Sequence, residues 1–183
     1  MSSVLRGLPH PLRRVVLALW VSLVGGTLFI ALPETAGWLN ARMQWPVFVV
    51  PGGRVLGYAL LAFAVVLFLY CSRAFVALGK GTIVPIDAPP QLVRSGIYRF
   101  SRNPIYVAYL GILFADFLRN GELARLLYLL LFFAFLQLVI VYLEEPGLSK
   151  RFGLDWETYK RHVPRWLALN PRWLRAQVFG AGL

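Results

Sequence analysis

The sequence predicts an all-α chain that is folded in a bilayer and crosses it about four times. Three observations carry this reading. Of 183 residues, 58% are apolar and only 15% charged, and the mean hydropathy of +0.64 is too high for a soluble chain of this length. Runs of 15 to 18 residues with almost no charge alternate with short basic connectors, as a chain surrounded by hydrocarbon must be written. The runs are continuous rather than alternating in polarity. Helices satisfy every backbone group internally, as such runs in lipid require.

Residues 15–32 hold no charge and are just long enough to cross. Arg13 and Arg14 before them imitate a signal peptide. However, the run exceeds a usual hydrophobic region and reaches Pro33-Glu34 without a small-x-small cleavage site, so we read a retained first span. Residues 38–50 are apolar but broken by Arg42 and Pro46; they are expected to be interfacial or re-entrant, and a fifth span only if they cross. Residues 55–72 are uncharged, and their helix is expected to continue past Arg73 to Leu78. Residues 104–118 are short for the roughly 20 residues a span needs and carry Asp116 near their end, so they must lean on neighbours. Residues 126–143 are uncharged and rich in Leu and Phe, with Pro146 expected to end the span.

Orientation follows from the basic residues. With the N-terminus inside, fifteen of the nineteen Lys and Arg fall on the inner side, and only Arg42, Arg54, Arg119 and Arg125 on the outer. This bias predicts both termini in the cytoplasm. The formal net charge of +11 is then topological and suited to anionic headgroups; no nucleic-acid motif accompanies it. The single cysteine, Cys71, excludes an internal disulfide and a multi-cysteine metal site. We expect one domain, with spans in 1–78, the chemistry in 79–166 and a basic tail in 167–183. The loop 79–103, with Gly79, Gly81, Pro85, Pro89 and Pro90, is long enough to suggest function.

Two polar constellations lie on the predicted inner side. In the first, Pro104 suits the first position of a helix, with Ser101 or Asn103 as cap. The helix start beside Arg99 and Arg102 also suits an anion. Tyr98 and Tyr106 are either interfacial tyrosines or ring faces for a cation. In the second, Glu144 and Glu145 sit at the negative end of a helix dipole, so they need a positive partner. That partner is either an arginine such as Arg94, Arg99 or Arg102, or a cationic ligand. Beyond them, Asp155 is placed to cap a short helix carrying Trp156, Tyr159 and Val163 on one face before Pro164. That helix either rests on the bilayer or covers a site. Gln137 and Asp116 are expected to hydrogen-bond between helices.

Taken together, Leu92-Val93, Ser95-Gly96, Tyr98, Arg102-Asn103-Pro104-x-Tyr106, Glu144-Glu145, Phe152-Gly153, Tyr159 and Val163-Pro164 resemble the isoprenylcysteine carboxyl methyltransferase group. The Asn-Pro-x-Tyr and Glu-Glu-Pro pieces are also similar to phosphatidylethanolamine N-methyltransferases. The resemblance spans about 79–166. It implies a membrane methyltransferase that uses S-adenosylmethionine and acts on a lipid or lipophilic small molecule, with a carboxylate or amine acceptor. It further implies that Gln91, Leu92, Val93 and Tyr98 line the cofactor cleft. Arg102, Asn103, Pro104, Ile105 and Tyr106 would hold the cofactor at the helix start, and Glu144 and Glu145 would supply its polar contacts and the catalytic carboxylate. Two positions depart from the carboxyl methyltransferase pattern: Asn103 replaces a histidine, and Ile140 stands where an arginine would hold the substrate carboxylate. Prenylcysteine is therefore not carried over as substrate. The stretch Phe152-Gly153-x-Asp155-Trp156-x-x-Tyr159 is similar to sterol reductases, giving an NADPH-dependent reductase as second reading; a non-catalytic membrane protein is the third. The compact form suits a bacterial inner membrane.

Overall fold

The computed structural model describes residues 10–79 and 91–167; the readings of 80–90 and of the tail beyond 167 fall outside them. In chain order the elements are α1 (His10–Gly26), a π turn (Thr27–Ala31), α2 (Leu32–Arg42), α3 (Gly53–Gly79), a 3-10 turn (Gly96–Arg99), α4 (Pro104–Asn120), α5 (Leu123–Val139), a second π turn (Ile140–Glu144), α6 (Glu145–Phe152) and α7 (Leu154–His162). No strand occurs among the described residues, only an isolated antiparallel bridge between Val47 and Glu122. The protein is an all-α membrane protein. Three helical stretches, Ala18–Arg42, Gly53–Ala74 and Leu123–Phe152, are long and apolar enough to cross. The expected fourth span, α4, has 17 residues and is not among the stretches long enough to cross. Large apolar side chains such as Leu23, Val66, Leu131 and Leu143 stay exposed, as lipid-facing residues do.

Both prolines expected to end spans instead lie inside continuous helices. Proline lacks an N–H and its ring clashes with the carbonyl four residues back. Each is accommodated by a π turn immediately before it, which widens the helix and re-routes one bond. The Leu32 N–H donates to Thr27 O ahead of Pro33, and the Glu145 N–H to Ile140 O ahead of Pro146. The first helix thus continues to Arg42, and the last to Phe152. Residues 38–50 are consequently not re-entrant. Their first part completes α2, and their second part runs as an extended strap over the α4–α5 turn. There Phe48 N–H donates to Gly121 O at 2.7 Å, and Leu123 N–H to Pro46 O at 3.1 Å.

Small residues let α3 and α4 approach closely and antiparallel. Gly53, Gly57 and Ala64 on α3 meet Leu118, Ala115 and Gly111 on α4; a methyl added at Gly57 would lie 2.8 Å from Ala115 O. Such stripes replace the hydrophobic effect, which is absent between helices in lipid. At the strap end, α4 stops at Gly121, whose φ of +70° is the left-handed cap that glycine accepts. Buried Asn40 joins α2 to the next helix: its Oδ1 accepts from Ala124 N–H at 3.0 Å, filling one of the open donors of the α5 start. Beside it, Arg125 binds Asp116 at 2.6 Å, Glu122, and Glu34 at 3.3 Å, while Arg119 binds Asp116 at 2.8 Å. Asp116 is thus the interhelical group expected.

Candidate functional site

At the other end of α4, the chain enters the helix through Pro104, with Asn103 as its cap position. Neither expected cap uses its side chain on the helix. Ser101 Oγ accepts from Asn103 N–H at 3.0 Å, outside the helix proper. Asn103 Nδ2 turns away and donates to Arg165 O at 3.0 Å. The reason is a competing partner: residues 163–166 fold back over this loop. Arg102 N–H donates to Pro164 O at 2.9 Å, and Ser101 Oγ to Arg165 O at 3.3 Å.

The glutamates of the second π turn come to the same place and divide. Glu145, buried, accepts from Arg102 Nη1 at 2.8 Å and from Arg165 through Nε at 2.8 Å and Nη2 at 3.0 Å. Glu144 accepts a short bond from the Tyr106 hydroxyl on Oε1. Arg102 is the partner expected for the pair; Arg94 instead meets Asp155 at 3.5 Å in solvent. Asp155 therefore does not cap α7, whose cap position is Gly153. The α7 face is as expected: Trp156, Tyr159 and Val163 are buried together with Leu92, Leu148 and Phe152. It packs on the loop, with Tyr159 Oη donating to Tyr98 O at 2.7 Å and the Arg102 guanidinium 5.4 Å from the Trp156 ring centre.

Charge and burial set the protonation here. Burial lowers the affinity of Arg102 for its proton, opposed by Glu145, while the bond to Glu145 raises that of Arg165. Arg165 is the more exposed of the two, so desolvation weighs less on it. Burial pushes the Tyr98 and Tyr159 hydroxyls upward, so both stay protonated. Two buried donors, Arg102 Nε and Trp156 Nε1, have no acceptor among the described residues.

Of the expected site residues, Arg102, Asn103, Tyr106, Glu144 and Glu145 converge through these bonds, and Pro104 starts the helix between them. Tyr98 and Val93 are buried behind them, Leu92 packs on Trp156, Ile105 is half-buried and Gln91 is exposed. Arg165 and Trp166 were not singled out by sequence. Trp166 Nε1 donates to Gln137 Oε1 at 3.0 Å, so this glutamine bonds the segment that follows α7 and not a second helix as expected. Their signal was Pro164, which ends α7 and turns the chain back. A separate hollow of about 380 Å³, lined by residues 47–50, 52–55 and 118–121, opens at the strap end, a full helix away.

Residues 53–155 match the family model for phospholipid methyltransferase. The chain belongs to that family. The matched region holds α3 to α6, including the Asn103–Tyr106 helix start and both glutamates, while Tyr159 and Arg165 lie beyond it. No curated protein and no solved structure matches the chain. As a member of this family it is a membrane methyltransferase, and the family acts on lipids.

Proposed function

We propose that the protein transfers a methyl group from S-adenosylmethionine to an amine or carboxylate of a membrane-embedded lipid or lipophilic small molecule. The reaction would take place at the cytoplasmic face of a bacterial inner membrane, with both termini on that side and the chain acting as one domain. The observation that carries this reading is the pairing of Tyr106 with Glu144 beside Arg102 with Glu145. It joins the start of one span to the end of another at a single depth, where a soluble donor and a lipid acceptor can meet.

The residues present suit such a donor. S-adenosylmethionine, when bound, supplies an electrophilic methyl on a sulfonium and also carries a carboxylate and an ammonium. The acceptor-less donors Arg102 Nε and Trp156 Nε1 suit a carboxylate, because leaving them unbonded costs about 1–3 kcal/mol each. Among the described residues Glu144 is bonded only through Oε1 and keeps Oε2 for a cationic group. The Tyr106 ring offers an apolar and cation-attracting face, and Gln91, Leu92, Val93 and Tyr98 complete the cleft wall by resemblance.

Alignment is the main task in a displacement at carbon. Glu145 is saturated by two guanidiniums and acts as a positioning residue for Arg102 and the 163–166 segment. With an amine acceptor, Glu144 would take the proton that the amine gives up as it is methylated. With a carboxylate acceptor no base is needed.

Titration of the purified protein with S-adenosylmethionine and with NADPH tests the reading. We expect the first to bind and Tyr106→Ala or Glu145→Ala to weaken it without lowering membrane insertion. Binding of NADPH alone would support the reductase, and binding of neither the non-catalytic reading. Lipid mass spectrometry with labelled methyl donor then names the acceptor.

A further inference from the structure

The same backbone device occurs twice in this chain, and the two copies differ in one respect. A π turn of five residues, Thr27–Ala31 or Ile140–Glu144, is followed by one residue and then proline. In each copy the carbonyl of the second residue loses both of its usual donors. The N–H four residues on has moved to the preceding carbonyl: Leu32 N–H bonds Thr27 O, and Glu145 N–H bonds Ile140 O. The residue five on is proline, Pro33 or Pro146, which has no N–H. The carbonyls freed in this way are Leu28 O and Val141 O. Inside a bilayer an unbonded carbonyl costs several kcal/mol, so each needs an outside donor.

In the first copy that donor is present. The Tyr128 hydroxyl of α5 donates to Leu28 O at 2.8 Å. In the second copy no side chain among the described residues donates to Val141 O, and this carbonyl points along the helix toward Glu144 and Glu145. Glu145 is fully occupied by Arg102 and Arg165. Glu144 has one oxygen engaged by Tyr106. An acceptor carbonyl and an incompletely bonded carboxylate therefore lie on one helical turn at the candidate site.

We propose that Val141 O and Glu144 together bind an alkylammonium group, the carbonyl taking one N–H and the carboxylate another together with the charge. This deepens the proposed function and rests on it. Two molecules could bring such a group: a primary-amine lipid headgroup, or the α-ammonium of the methyl donor. Pro146 acts as a positioning residue, because it keeps Val141 O open. An N–H at position 146 would close it in either geometry, by bonding Val141 O directly or by letting the helix relax so that Glu145 N–H does.

Val141-Tyr142 is the only Val-Tyr pair in the chain. Carbonyl-13C valine combined with 15N tyrosine therefore isolates the Val141 carbonyl by NMR. The probes are S-adenosylhomocysteine against methylthioadenosine, which lacks the ammonium, and nanodiscs containing phosphatidylethanolamine against phosphatidylcholine, whose headgroup has no N–H. We expect one N–H-bearing probe to move the Val141 carbonyl signal downfield while its counterpart does not, and which pair responds identifies the source. The matching affinity preference should fall about tenfold in Pro146→Ala and stay unchanged in Pro33→Ala. Probes that bind without moving the Val141 signal, or a preference that survives Pro146→Ala in folded protein, overturn the inference and leave the proposed function standing. Absence of binding by S-adenosylhomocysteine and by both lipids would overturn both.

Discussion

Glu145 takes three hydrogen bonds from two guanidiniums, while Glu144 takes one from a phenol. Adjacent carboxylates thus have different duties. Removing one partner of a buried ion pair leaves the other desolvated and alone. We expect Glu145→Gln to lower stability by roughly 3 kcal/mol, at the low end of that range because Arg165 is partly exposed, and this is read as a lower unfolding midpoint in detergent. Arg165→Lys should not restore the wild type, since an ammonium cannot supply the two-pronged contact. Hydrogen exchange at residues 163–166 would report the loosened segment. Tyr159 adds a pH dependence. Its proton is held more tightly folded than unfolded, so its bond to Tyr98 O contributes fully below about pH 10 and is lost as the pH rises further. Tyr159→Phe should shrink the alkaline limb of a stability profile and leave the share that Tyr98 contributes.

Helices and their joints carry the next level. Tyr128→Phe leaves Leu28 O without a donor, and we expect a loss of about 1–2 kcal/mol with no change in methyl transfer. Gly57→Ala should be far more disruptive than Gly25→Ala, because the first methyl meets Ala115 O and the Arg119 side chain while the second meets nothing within 4 Å; thermal unfolding of the two variants checks this. At this scale the spans were legible, because hydrocarbon demands uninterrupted apolar helix and the charge bias marks the connectors. Pro33 and Pro146 were misread as terminators. The rule that proline stops helices assumes that a broken helix can be solvated, and in lipid a π turn costs less than an open end. The site was legible where residue types are rare in a span, as with Glu144, Glu145 and Asn103-Pro104. Arg165 was not, since one arginine among Lys160, Arg161 and Arg172 carries no local mark, and only the fold shows which of them turns inward.

Seen whole, the molecule is fastened at both ends of α4. Arg125, Asp116, Glu122, Glu34 and Arg119 tie the strap end, and the Arg102, Glu145 and Arg165 set ties the site end. The two lie about 25 Å apart along a 17-residue helix. Changes in them should therefore add independently. We expect Arg125→Leu to destabilise the fold by about 3 kcal/mol, the low end for a broken buried pair because Asp116 keeps its bond to Arg119, yet to leave affinity for S-adenosylmethionine in the folded fraction unaltered. Glu145→Gln should lower both. Coupled effects in the double variant would contradict this separation.

The brevity of α4 has a consequence for the host membrane. A rod of about 25 Å standing beside neighbours able to cover the full hydrocarbon thickness of about 30 Å must draw one leaflet inward around itself. With one end tied to the strap, the dimple forms at the other, where Asn103 and Glu144 sit. A lipid headgroup there rides several ångströms below its fellows, already partly stripped of water before it touches a side chain. Turnover should accordingly rise in vesicles of shorter acyl chains and fall in thicker ones, at constant headgroup composition.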